Sequence, residues 1–152
     1  PIFIYHEVGE KLQHTFDSAT QKKIISTFPD SAIEYVARAV KDVLADTHPQ
    51  GMISFITREK RDASLGFYVG FLAGLRRVLS PDIIKAFDRY LLEGDWNLID
   101  QARITCRDNS RRLAEKIRRI ADLIGREESE QIKLRFYDEI LVPLGLEMPE
   151  QE

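Results

Sequence analysis

A chain of 152 residues with one cysteine, one tryptophan, three histidines and six prolines has little material for several kinds of protein. Cys106 has no second thiol with which to close an intramolecular disulfide or build a paired-cysteine zinc site, and a reducing compartment is the simpler reading. Long hydrophobic runs are missing too. The most apolar stretch, Leu65 to Leu75, is closed by Arg76 and Arg77, well short of the ~20 residues a membrane-spanning helix needs. Pro1 to His6 lacks a basic leading segment, so no secretory leader and a cytoplasmic location are expected. The formal charge of -3 argues mildly against a dedicated nucleic-acid binder. Phosphate loops, serine elbows and cysteine-histidine pairs close in sequence are absent.

What remains is helical material. Hydrophobic residues make up 43% and charged residues 31%, the balance of a bundle with solvated outer faces. A chain this long buries about 70% of its unfolded surface. One all-α domain of about five to six helices over residues 1–152 is expected, with 144–152 as a frayed tail.

The organising stretch is Gly66-Phe67-Tyr68-Val69-Gly70-Phe71-Leu72-Ala73-Gly74, inside a helix predicted from about 62 to 79. Three interior glycines cost a helix about 3 kcal/mol relative to alanine. Gly66, Gly70 and Gly74 therefore predict close approach by another backbone or by a flat ligand beside Phe67, Tyr68 and Phe71. Leu65, Leu72, Leu75 and Leu79 would complete the buried side.

Elsewhere the punctuation is conventional. Ser31 and Glu34 have capping-box spacing ahead of Ile33, Val36, Ala37, Val40 and Leu44. Asp17 or Ser18 caps a short helix that stops at Pro29, and Met52 to Ile56 is ambiguous between helix and strand. Ser80-Pro81 starts a helix with a stripe of Ile83, Ile84, Phe87 and Leu91, and Gly94 ends it. From Trp96 to about Arg126 a seam of Ile99, Ala102, Cys106, Asn109, Leu113, Ile117, Ile120 and Ile124 runs at steps of three and four. Asn109 would be its polar register residue. A last helix, Ser129 to Leu141, would bury Ile132, Phe136 and Ile140 before Pro143.

Two polar constellations stand out. Arg103, Arg107, Arg111 and Arg118 share one face of the long helix and form a ridge able to grip phosphates or carboxylates. His6, Glu10 and His14 lie four residues apart, followed by Asp17, a possible but weakly signalled metal face if the amino end is helical. Ile2 to Tyr5 has strand chemistry as a competing option. Pro1 to Gly9 is similar to the first strand of the tautomerase family, whose leading proline acts as a base. The likeness covers nine residues, and the helical pattern beyond it departs from that family's β-α-β order, so the chain is not assigned there.

The leading expectation is a regulatory or protein-interaction module, self-associating and without catalysis of its own. The alternatives are a nucleic-acid-binding regulator that uses the arginine ridge, and a sensor of a small ligand or cofactor of unknown identity seated beside the glycines.

Overall fold

The computed structural model describes residues 2–146, all-α apart from one isolated bridge between Ile124 and Glu127. In chain order the helices are α1 (Phe3–Leu12), α2 (Ser18–Thr27), α3 (Ala32–Asp46), α4 (Met52–Arg58), α5 (Asp62–Gly70), α6 (Gly74–Val78), α7 (Pro81–Glu93), α8 (Trp96–Ala121) and α9 (Ser129–Phe136). A π-turn, Tyr137–Leu141, and a short 3-10 turn, Val142–Leu144, follow. Pro1 and most of the predicted tail, residues 147–152, lie outside the described residues.

Helix α3 is the central rod. Its Ser31 Oγ accepts from the Glu34 amide at 3.3 Å, while the Glu34 carboxylate accepts from the Asp30 amide at 2.8 Å, so the capping box closes one residue earlier than its usual form. Ile33, Val36, Ala37, Val40 and Leu44 are buried, as the periodicity predicts, and Val43 joins them; the helix packs against α8 and α1. Gly94 ends α7 in the left-handed conformation at φ 67°, a geometry open to glycine without steric penalty.

The amino end is helical from Phe3, which settles the strand question and removes the tautomerase likeness. A glycine explains how α1 lies so close to α3. A Cβ on Gly9 would stand 2.0 Å from the Ala45 carbonyl oxygen, and one on Gly51 would stand 2.3 Å from the same atom. Ala45 is thus clasped between two bare backbones. Tyr5 stacks on Phe55 with ring centroids 3.9 Å apart, fixing α1 against α4 as well.

The predicted rod over 62–79 is two helices. Ala73 is extended and Gly74 has φ 52°, so the right-handed helix stops after Gly70 and restarts in a new direction. Leu65, Tyr68, Leu72 and Leu79 reach the core, whereas Phe67 and Phe71 face outward. No atom beyond the local chain lies within 4 Å of a Cβ placed on Gly66, Gly70 or Gly74. The expected close packing within the chain is therefore absent, and the periodic glycines flank an open surface.

The seam of α8 also shifts. Ile99, Ala102, Cys106, Ile117 and Ile120 are buried as predicted, but between Cys106 and Ile117 the path runs through Ser110 and Ala114 instead of Asn109 and Leu113, and Ala121 is buried at its end. Asn109 is exposed and bonds to Arg112 at 2.9 Å. On α7 the buried positions are Ile83, Ala86 and Tyr90, and Leu91 faces solvent.

Replacing Gly9 by alanine forces a methyl group into the Ala45 carbonyl, and overpacking of this kind costs about 1–3 kcal/mol. G9A should lower the denaturation midpoint, whereas Gly66→Ala, which has open space, should leave it unchanged or raise it. Equal urea midpoints for wild type and G9A would contradict the α1–α3 contact.

Candidate functional site: a charged-floor apolar cleft

The Gly9 contact places His6, one turn earlier on α1, over the carboxyl-terminal end of α3. There Asp46, with no solvent exposure, accepts three hydrogen bonds from three other helices. His6 Nδ1 donates to Oδ1 at 2.7 Å, Tyr68 Oη donates to Oδ2 at 3.0 Å, and Arg76 Nη2 donates to Oδ2 at 2.6 Å. The break at Ala73–Gly74 is what turns α6 so that Arg76 arrives on Asp46.

The electrostatics follow. The hydrogen bond to Asp46 is the main reason the imidazole of His6 titrates above its ordinary range, outweighing the opposing effect of burial. Burial, together with the neighbouring Asp46 charge, holds the Tyr68 phenol well above its usual value, so it remains a donor. Asp42, one turn before Asp46 on α3, is half-buried, and its carboxyl is pushed upward chiefly by desolvation. It makes no hydrogen bond or ion pair with the described residues.

Above this floor opens a cleft of about 480 Å³ between α1 and the α5–α6 bend. Ile2, Phe3, Met52, Phe67 and Phe71 supply apolar walls, and His6, Asp42, Ser64, Tyr68 and Arg76 supply polar points. Clefts that hold small molecules span roughly 300–1,000 Å³ and combine these ingredients. Phe3 is 73% exposed, Phe67 64% and Phe71 74%, so the rim is apolar surface left in water. Phe67 and Phe71 stack with rings inclined by 8° and form one flat wall.

Of the residues singled out in the sequence, Phe67, Tyr68 and Phe71 converge on this cleft, while Gly66, Gly70 and Gly74 mark its outer flank. The arginine ridge divides. Arg103 is buried and its Nη1 donates to the Thr47 carbonyl at 3.1 Å, and Arg107 Nη1 donates to the Leu44 carbonyl at 3.0 Å. Both arginines cap the carboxyl end of α3, where free carbonyls and the negative end of the helix dipole favour cations. Arg111 and Arg118 remain exposed, and the ridge as a row of four free guanidiniums does not exist.

The predicted metal face also rearranges. His6, Glu7 and Glu10 bring donor atoms within 4.8 Å of one another, and His14 is not among them. Glu10 is paired with Lys41 and the His6 Nδ1 with Asp46, so a cation there would have to displace Lys41. His14 lines a separate and more polar hollow with Lys11, Gln13 and Asp17. Cys106 is buried near the Leu79 carbonyl, and burial pushes its thiol up to about 11, leaving it a small hydrophobe.

Sequence reasoning missed Asp42, Asp46 and Arg76. Asp42 and Asp46 continue the line of Glu34 and Arg38 on α3, away from the Val36, Val40 and Leu44 stripe, so in the sequence they read as a solvated face.

Fold and site together define an all-α chain with an apolar cleft over a saturated buried carboxylate. The chain belongs to the family described as "Family of unknown function (DUF6866) C-terminal domain", whose pattern matches residues 1–139. Comparison with curated proteins and with solved structures gives no match.

Removing the Asp46 carboxylate strands two cationic donors. Asp46→Ala should cost about 3 kcal/mol or more, as breaking a buried pair does, and urea unfolding measures it. The His6 contribution has a definite pH sign. Because its folded pKa lies above the unfolded value, its stabilisation is fully present below the unfolded pKa of about 6.5. It is lost as pH rises through the folded value. The stability gap between wild type and His6→Gln should therefore narrow from pH 5.5 to pH 9, and a widening gap would contradict the pairing.

Proposed function

We propose that this domain is a regulatory binding module whose α1–α5 cleft takes a small organic ligand and acts by recognition. The observation that carries the reading is the recess of about 480 Å³, walled by Ile2, Met52 and three phenylalanines that folding leaves largely exposed. Exposed phenylalanine is apolar area that an occupant would remove from water, worth about 25 cal/mol per Å². Asp46 fixes the orientation of His6, yet no serine, threonine or cysteine side chain hydrogen-bonds that imidazole among the described residues. A nucleophile activated by a base needs that contact. The geometry thus favours holding a molecule over transforming one.

A second reading rests on the same aromatics: the apolar rim, flanked by the open Gly66–Gly70 surface, would join two copies of the chain. Light scattering across a hundredfold concentration range separates the two, since self-association through the rim makes the mass rise with concentration and fall back in Phe71→Ala.

The ligand reading is tested with N-phenyl-1-naphthylamine, a neutral apolar dye that brightens on leaving water. Saturable one-to-one binding is expected, weakened about tenfold by Phe67→Ala or Phe71→Ala through loss of about 1.4 kcal/mol of contact. Since both rings are exposed, neither change should shift the melting temperature. Non-saturable binding, or binding indifferent to both substitutions, would overturn the proposal.

A further inference from the structure

His6, Arg76 and Asp42 line the cleft, Asp46 lies buried beneath it, and their pairing is unequal. Asp46 accepts from both Arg76 and His6, so the one buried carboxylate holds both cations of the site. Arg76 also lines the cleft, but its charge is matched by Asp46, which its Nη2 grips at 2.6 Å, and its Nε is buried. Asp42 lines the same cleft and has no hydrogen bond or ion pair with any described residue. The nearby charges of His6 and Arg76 favour its ionised form without bonding to it, and a half-buried carboxylate that lacks a hydrogen bond is a costly arrangement. It is relieved by a cation arriving from outside and made worse by an anion.

The walls agree with that sign. Phe3, Phe67 and Phe71 present aromatic surface, which attracts a cation through the ring quadrupole and packs against an apolar body.

We propose, building on the cleft reading above, that the ligand is a small organic cation: an ammonium or guanidinium group held by Asp42 and carried on an apolar body that lies against Phe3, Phe67 and Phe71. Asp46 is matched by its own donors, so Asp42 is the carboxylate with which such a ligand pairs. Asp42 then selects the charge of the ligand, and the phenylalanines select its bulk.

Three probes of nearly one size and shape test this: phenethylamine, 2-phenylethanol and 3-phenylpropanoate. Each is titrated into 15N-labelled protein at pH 7.5, following the amides of residues 64–71 and of His6. The amine should bind at least tenfold more tightly than the alcohol, and the carboxylate most weakly. In Asp42→Asn the amine should fall to the affinity of the alcohol, while the alcohol is unchanged. Asp42 makes no hydrogen bond among the described residues and acts on His6 and Arg76 only through its charge, so D42N should move the melting temperature little; if it does not fold, the ranking of the three probes on wild type decides alone. Equal affinities for amine and alcohol would overturn the cationic assignment and leave the cleft as an apolar ligand site. Failure of all three to perturb these amides up to their solubility limits would overturn the assignment and the cleft reading together.

Discussion

A carboxylate with no access to water, placed at the negative end of a helix, is the constraint on which the architecture around the cleft depends. Asp46 ends α3, where the dipole already disfavours an anion, and desolvating the charge costs several kcal/mol more. The cost is offset only if donors converge, and each comes from a different helix: His6 from α1, Tyr68 from α5 and Arg76 from α6. Arg103 and Arg107 act in the same direction by capping the neighbouring carbonyls. The polar centre therefore specifies an arrangement. A leucine at position 46 would relieve the desolvation, yet it would hold nothing that requires α6 to turn back toward α3.

Two aspartates on one helix, four residues apart, thus come to opposite conditions. Asp46 is enclosed and saturated; Asp42, one turn nearer the amino end, is half-buried and makes no hydrogen bond or ion pair among the described residues. The difference is set by neighbours. Gly9 lets α1 sink onto Ala45 and deliver His6 to the lower carboxylate, while the upper one is left facing Phe67 and Phe71 across the opening. Chemistry available to a ligand is concentrated where the fold has not used it.

This division also shows what could be read from the sequence. Local rules sufficed for the all-α class, the start of α3 at Ser31 and the stop of α7 at Gly94, because caps and left-handed glycines act over a few residues. The glycines misled for a physical reason. Gly66, Gly70 and Gly74 have the spacing of a packing face, but Gly74 is spent on a left-handed break, and the glycines that do admit a neighbouring backbone are the isolated Gly9 and Gly51. Their shared partner, Ala45, is far from Gly9 in sequence. The α8 seam drifted for another reason: a straight helix turns about 20° per heptad away from a 3.5-residue repeat. A buried face that begins at Ile99 and Cys106 therefore passes through Ser110, leaving Asn109 outside. Arg103 and Arg107 were legible as neighbours on one helix, but their carbonyl acceptors on α3 were not.

The saturated centre and the open cleft are mechanically one object. Phe67 and Phe71 sit at the end of α5, Ala73 and Gly74 make the bend, and Arg76 is the first strong tether after it. Helix α6 has only five residues, too few to be stable by itself. Its position, and with it the angle of the aromatic wall, follows from the ion pair with Asp46. His6 performs the same service for the opposite wall, since it shares α1 with Phe3. The buried network is thus the frame of the cleft, with its donors already engaged, and what the frame presents to an incoming molecule is one carboxylate and a set of rings.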